Sequence, residues 1–434
     1  MSEKSGKLFI MHLKEVLIMH IVFVTTELAT MHNVSGGLAS FTSNMARICV
    51  ANRHRVTIIL STVKEESLTF DDDIMLEKIF VKKQVWDALN RATKICIRDK
   101  KENANEARKF LVNIYRSGQV RKRIKEINKR EKIDIVHYCN LCALAFRASK
   151  YIPYVIRISG FDVMCKGADL PDGKIDYDVD KLSIKDKLVD YTVKKARYVI
   201  SPSNLLADEG RKTLGIDATV IESPFLLSKT NWDYSIYNSL VGNKKYIIHY
   251  GRLGYLKGTH IVAEIANEVL HKFPDIYLVL VGSNGELLDE NGGKVKSDKL
   301  VKKRAGDYSD RVIYAGVLVR EQLYPLIEKA ELCLLPSRIE NLPNACIEAM
   351  SMGQIVVGTN GASFEQLIDD KKSGFLCERD NPDSYFLAID EALNMSIEEK
   401  NEMKSEAREV TERLKPQKIY EKYVEFYEKI IEEW

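Results

Sequence analysis

The chain has 434 residues and a mass of 49.6 kDa, which leads us to expect two globular domains of ordinary size. With 45% hydrophobic and 29% charged residues, it is not a disordered, collagen-like or coiled-coil protein. Lys and Arg total 65 against 62 Asp and Glu, so a net charge of +3 gives nucleic acid no general hold as a partner. The eight cysteines are scattered, unlike a secreted disulfide framework, and read as reduced thiols in a cytoplasmic protein.

The apolar stretch over 8–26 carries His12, Lys14, Glu15 and His20. A membrane span needs about 20 nearly uninterrupted apolar residues, and no small-residue cleavage site marks a signal peptide. The expectation is a strand over 20–26, HIVFVTT, behind an extension over 1–18, with Met19 a candidate start. Further Val/Ile-rich runs follow: RVTIIL (55–60), DIVHYC (134–139), YVIRIS (154–159), YVISPS (198–203) and ATVIES (218–223). After a polar, aromatic stretch come YIIHYG (246–251), IYLVLVG (276–282), RVIYAG (311–316), LCLLP (332–336) and IVVGTN (355–360). Runs this continuous suit strands buried on both faces of a parallel sheet. Helical patterns between them predict an α/β fold with doubly wound sheets.

The expected division is a domain over 19–226, a linker over 227–245, a domain over 246–414 and a helix over 415–434. In that helix Tyr420, Tyr423, Val424, Tyr427 and Ile431 share one face. The segment 91–132 holds 15 Lys/Arg against 5 Asp/Glu. It reads as a solvated basic helix, with contact to an anionic membrane surface as the sharper alternative.

Ligands of doubly wound sheets sit at the carboxyl ends of the strands. Gly36 and Gly37, after the first strand, let backbone amides approach an anion at a helix start. GRLGYLKG (251–258) puts Gly251, Arg252 and Lys257 at a strand end, where two cations suit a diphosphate. The most informative stretch is PSRIENLPNACIEAMSMG (336–353). Glu340 stands on a loop, Pro343 is expected in the first turn of a helix, and Glu348 lies about a turn and a half into it. Amides near Leu342, Asn344 and Ala345 would face an anion. GASFEQLIDDKKSGFLC (361–377) reads as small residues followed by a helix carrying Glu365.

Together these pieces resemble a retaining glycosyltransferase of the GT-B fold, similar to glycosyltransferase family 4. The likeness runs from residue 20 to about 380 through VTTELATMHNVSGGLA, ARYVISPSNLLAD, YGRLGYLKG, LVLVGSNGE, IYAGVL, IENLPNACIEAM and SMGQIVVGTNGASFEQL. The resemblance implies two Rossmann-like domains facing a cleft and transfer of a sugar from a nucleoside-diphosphate donor, UDP by family frequency. The acceptor would be a glycan, a lipid-linked sugar or another hydroxyl compound, in surface polysaccharide or glycoconjugate synthesis. It implies that Arg252 and Lys257 bind the diphosphate, Glu340 the donor sugar and Glu348 the ribose. Gly37 would approach the donor phosphates, and Val317 and Leu318 would receive the base. Asn341, Leu342, Pro343 and Asn344 complete the donor side, and the last helix would cross back to the first domain. No cofactor and no metal is implied.

Departures fall on the acceptor side. His137 is kept, but Cys139 and Ser159 stand where many members carry histidine, so His137, Arg157 and Asp162 are the candidates there. His137 reads more readily as a satisfied core histidine than as a catalytic one. Asp176, Asp178 and Asp180 have the spacing a metal-dependent transferase uses, within an acidic insert read as an acceptor-side loop. The competing readings are a nucleotide-sugar epimerase or hydrolase, and a catalytically silent nucleotide-sugar-binding subunit.

Overall fold

A computed structural model describes residues 17–29, 36–65, 68–96, 101–175, 182–225, 227 and 232–434; side chains of 95–96 and 101–103 are excepted. The acidic triplet Asp176, Asp178 and Asp180 lies outside the described residues, as do Ser35 and most of 226–231.

Seven strands build the first sheet: β1 (His20–Thr25), β2 (Arg55–Thr62), β3 (Met75–Phe80), β4 (Ile135–Cys139), β5 (Tyr154–Arg157), β6 (Val199–Ser201) and β7 (Thr219–Val220). They lie in the order β3-β2-β1-β4-β5-β6-β7, every neighbouring pair parallel. Around them run α1 (Gly37–Ala51), α2 (Lys83–Cys96), α3 (Lys101–Arg130), α4 (Asp162–Ala168), α5 (Ile184–Lys194) and α6 (Asn204–Leu214). β1 and β4 are buried along their whole length, as their unbroken apolar runs require.

The second sheet uses β8 (Lys245–Tyr250) and β9 (Ile276–Val281). A small hairpin, β10 (Glu286–Leu288) and β11 (Lys294–Lys296), stands apart. β12 (Val312–Gly316), β13 (Leu332–Leu335), β14 (Val356–Thr359) and β15 (Phe375–Cys377) complete the sheet, in the all-parallel order β12-β9-β8-β13-β14-β15. Its helices are α7 (Thr259–Lys272), α8 (Ser297–Ala305), α9 (Arg320–Glu328), α10 (Asn344–Ser351), α11 (Pro382–Asn394) and α12 (Ile397–Glu412). In each sheet the chain reverses direction of progress beside a central strand, between β1 and β4 and between β8 and β13. These switch points open a crevice at the strands' carboxyl ends.

The last helix, α13 (Pro416–Glu433), leaves the second domain and lies on α1 of the first. Its buried face is Ile419, Tyr420, Tyr423, Val424, Tyr427 and Ile430. The Tyr420 hydroxyl meets His54 Nε2 at 2.7 Å, and Tyr427 meets His137 Nδ1 at 2.6 Å. One buried apolar cluster runs from Ile21 and Phe41 through these tyrosines to Tyr246 and Leu335 of the second sheet.

Two local expectations need correction. Pro343 is not in the first turn of a helix: it caps α10 in an extended conformation, one residue earlier than expected. The expected helix carrying Glu365 is a single 3-10 turn, Phe364–Gln366, entered through Ser363 at φ 67°. The basic segment contains a 30-residue helix, α3, packed on its own domain through Val120, Ile124 and Ile127. No described helix is long and apolar enough to cross a membrane.

Candidate functional site

Both switch points face one cavity of about 730 Å³ between the domains. Its first-domain wall includes Glu27, Gly36, Gly37, Arg157 and Ser159. Its second-domain wall includes Gly251, Arg252, Lys257, Val317, Leu318, Glu340, Asn341, Leu342, Asn344 and Glu348. Two helices begin here. α1 starts at Gly37 and α10 at Asn344, and a Cβ built on Gly37 would stand 3.1 Å from Asn344 Nδ2. The two amino termini thus approach each other across the cleft. Each presents unsatisfied amides and the positive end of its dipole, an arrangement suited to an anion.

The cations occupy the loop between β8 and α7. Gly258 has φ +71°, and a Cβ there would lie 1.8 Å from the Pro336 carbonyl oxygen. Only glycine lets this loop close against the end of β13. The closure places Lys257 Nζ on Glu340 Oε1 in a direct ion pair. Arg252 pairs instead with Asp169, which follows α4 in the first domain. Both cations therefore hold a carboxylate, one from each wall.

Glu348 is no surface ornament. It is buried within α10 and lines the cavity. The Tyr324 hydroxyl donates to its Oε1 at 3.3 Å, and Arg320 Nε lies 3.6 Å away. Burial raises its carboxyl above the usual range, partly offset by Arg320. Arg320 also donates to Ser40 of α1 at 3.1 Å, so it bridges the two domains beside this acid.

Two of the acceptor-side candidates do not line this cavity. His137 does not line the cavity: it is buried among Phe23, Phe41, Tyr423 and Tyr427. Burial lowers its pKa to about 3, so it is a neutral core imidazole. Asp162 lines a neighbouring cavity of about 340 Å³ and pairs with Lys185 at 2.9 Å. Arg157 does reach the main cavity. Pro343 stands behind it, positioning Leu342 and Asn344 without lining it.

Several residues escaped the sequence reading. Glu27 follows β1 closely, and the strand-end rule could have found it; burial raises its carboxyl. Asp169, Arg320 and Arg338 act across the domain boundary and carry no local signal. Arg338 is buried after β13 and grips the first domain. It donates to the carbonyls of Ala168 (3.2 Å), Leu170 (2.5 Å) and Pro171 (3.3 Å), and to Asp380 at 2.8 Å.

Part of the chain matches a known family, and the whole fold matches solved structures. Residues 233–410 match the family model described as Glycosyl transferases group 1. An uncharacterized glycosyltransferase of Haemophilus influenzae is 29% identical over 196 residues, covering 44% of this chain and 48% of that protein. The match thus spans about half the length of that relative. Sucrose-phosphate synthase from Thermosynechococcus elongatus superposes with a TM-score of 0.68 at 14% identity, covering 96% of this chain and 100% of that one. Anabaena HepE in complex with UDP superposes with a TM-score of 0.62 at 15% identity, covering 94% and 99%. The fold is GT-B, and the part of the chain that carries Arg252, Lys257, Glu340 and Glu348 is the part that matches the group 1 glycosyl transferases.

Proposed function

We propose that the protein is a retaining glycosyltransferase that moves a sugar from a nucleoside-diphosphate donor, UDP foremost, to a hydroxyl acceptor. The observation that carries this reading is the convergence of two helix amino termini and the Arg252 and Lys257 cations on one interdomain cavity. A volume of about 730 Å³ lies within the ~300–1,000 Å³ range of small-molecule sites. The UDP in the HepE complex supports the choice of base.

In this reading Arg252, Lys257 and the amides at Gly36, Gly37 and Asn344 hold the diphosphate. Glu340 contacts the donor sugar, Glu348 grips the ribose, and Val317 and Leu318 receive the base beside Gly251, Asn341 and Leu342. The bond from the anomeric carbon to the phosphate oxygen breaks as the acceptor oxygen bonds to that carbon on the same face. The acceptor's proton passes to the departing phosphate. Charge grows on the leaving diphosphate, and fixed cations and amides stabilise it more than they stabilise the bound donor.

The test is a thermal-shift comparison of UDP, GDP and their sugar conjugates, followed by a transfer assay on Lys257→Ala. UDP should raise the melting temperature of the wild-type protein. Lys257→Ala should fold and lose ~10²–10³ in rate. Turnover at the wild-type rate in that variant contradicts the assignment.

A further inference from the structure

The cavity has a charged group on its first-domain wall that the donor leaves unused. Arg157 ends β5 and is 3% exposed, yet it lines the cavity opposite Lys257. Its Nη1 donates to Ser159 Oγ at 3.2 Å and its Nη2 to Ser223 Oγ at 2.8 Å. The guanidinium lies 4.0 Å over the Phe41 ring, and the Tyr423 hydroxyl stands against it. Its Nε is buried without a hydrogen-bond partner.

Every one of these neighbours is neutral, and Arg157 forms no ion pair among the described residues. Arg338, equally buried, is matched by Asp380 and three carbonyls. Arginine stays charged in proteins, and a buried charge without a counter-ion is costly. Arg157 lines the cavity, where an arriving anion would remove that cost. Ser159 and Ser223 also line the cavity, half-buried, and turn their hydroxyls to the same guanidinium. A planar fork flanked by two hydroxyls matches a phosphate or a carboxylate. The donor diphosphate has its own cations on the opposite wall, so this anion belongs to the other substrate.

We propose that Arg157, with Ser159 and Ser223, receives an anionic group carried by the acceptor, a phosphate or a carboxylate. The word acceptor rests on the glycosyltransferase reading above; the anion site itself does not.

Full-length protein saturated with UDP is titrated with inorganic phosphate and with acetate, against chloride at matched ionic strength. One of the two should bind, with a Kd about tenfold lower in wild type than in Arg157→Gln, and with partial recovery in Arg157→Lys. A phosphate response identifies a phosphorylated acceptor, and an acetate response a carboxylated one. Binding of neither anion, or a Kd that Arg157→Gln leaves unchanged, overturns the proposal. Failure of UDP to bind wild-type protein strikes the donor reading instead. If Arg157→Gln does not fold, wild-type crystals of the UDP complex soaked in selenate give the answer. A selenium anomalous peak within hydrogen-bond distance of Arg157 supports the site, and an empty map there refutes it.

Discussion

Arg252 and Lys257 each hold a carboxylate where a diphosphate would sit, and the two pairs have different consequences. Glu340 and Lys257 belong to the same domain, and both would keep contact with a bound donor. Asp169 belongs to the other domain, and in the proposed reading it would compete with the diphosphate for Arg252. The pair is partly exposed, with Arg252 58% and Asp169 28% accessible at the side chain, so its worth is about 0.2–1 kcal/mol. Asp169→Asn should therefore tighten UDP binding by roughly 1.4- to 5-fold, read by calorimetry. Weaker binding would mean that Asp169 orients Arg252 rather than competes for it. Glu340 and Glu348 were legible in the sequence because proline and glycine bracket a helix between them. Asp169 and Arg320 were not, because their partners lie in another domain and no local spacing encodes such a meeting. His137 was read more readily as a core histidine than a catalytic one, and it is packed against Tyr423 and Tyr427 of α13, partners its own sequence neighbours do not reveal.

At the scale of elements, strands with unbroken apolar runs were read correctly, the edge strands β7 and β12 among them, whereas the edge strands β3 and β15 were missed. β3 carries Glu77 and Lys78 and is only half buried, while β15 has three residues at the other sheet's edge. β3 does not carry apolar side chains on both faces, and β15, though apolar, is too short to show a run. α13 was legible from its apolar stripe, although the stripe does not say which domain it covers. Its attachment rests on polar pairs inside an apolar interface. Tyr427→Phe strips His137 Nδ1 of its partner in the core, and an orphaned buried group costs about 1–3 kcal/mol. Urea unfolding should show that loss; an unchanged midpoint would mean that the hydroxyl contributes nothing. Arg338 fastens the end of α4 to the second domain in a comparable way. Arg338→Ala leaves three carbonyls without this donor and should cost at least ~1–3 kcal/mol. It should also enlarge the radius of gyration in solution scattering as the cleft opens. Scattering identical to wild type would assign the closure to other contacts.

For the whole molecule, buried histidines tie stability to pH. Burial lowers His137 to about 3 and His249 to about 4, while both return to about 6.5 on unfolding. Between those values the unfolded chain binds more protons than the native one. Stability is therefore complete above about pH 6.5 and falls on acidification, by up to about 1.4 kcal/mol per pH unit for each histidine. Glu27 and Glu348, raised by burial, act in the opposite direction. Urea melts at neutral and mildly acid pH should show the net decline, with a shallower slope in His137→Gln. A slope that this variant does not alter would remove His137 from the account.

The placement of α13 also sets an order of events during synthesis. The first domain contains its own sheet but not the tyrosines that seal it, since Tyr420, Tyr423 and Tyr427 are translated only after the whole second domain. A nascent chain leaving the ribosome must carry an unsealed first half while the second is being made. Polypeptides cut between the domains should aggregate or bind chaperones, and co-expression of the missing piece should rescue them.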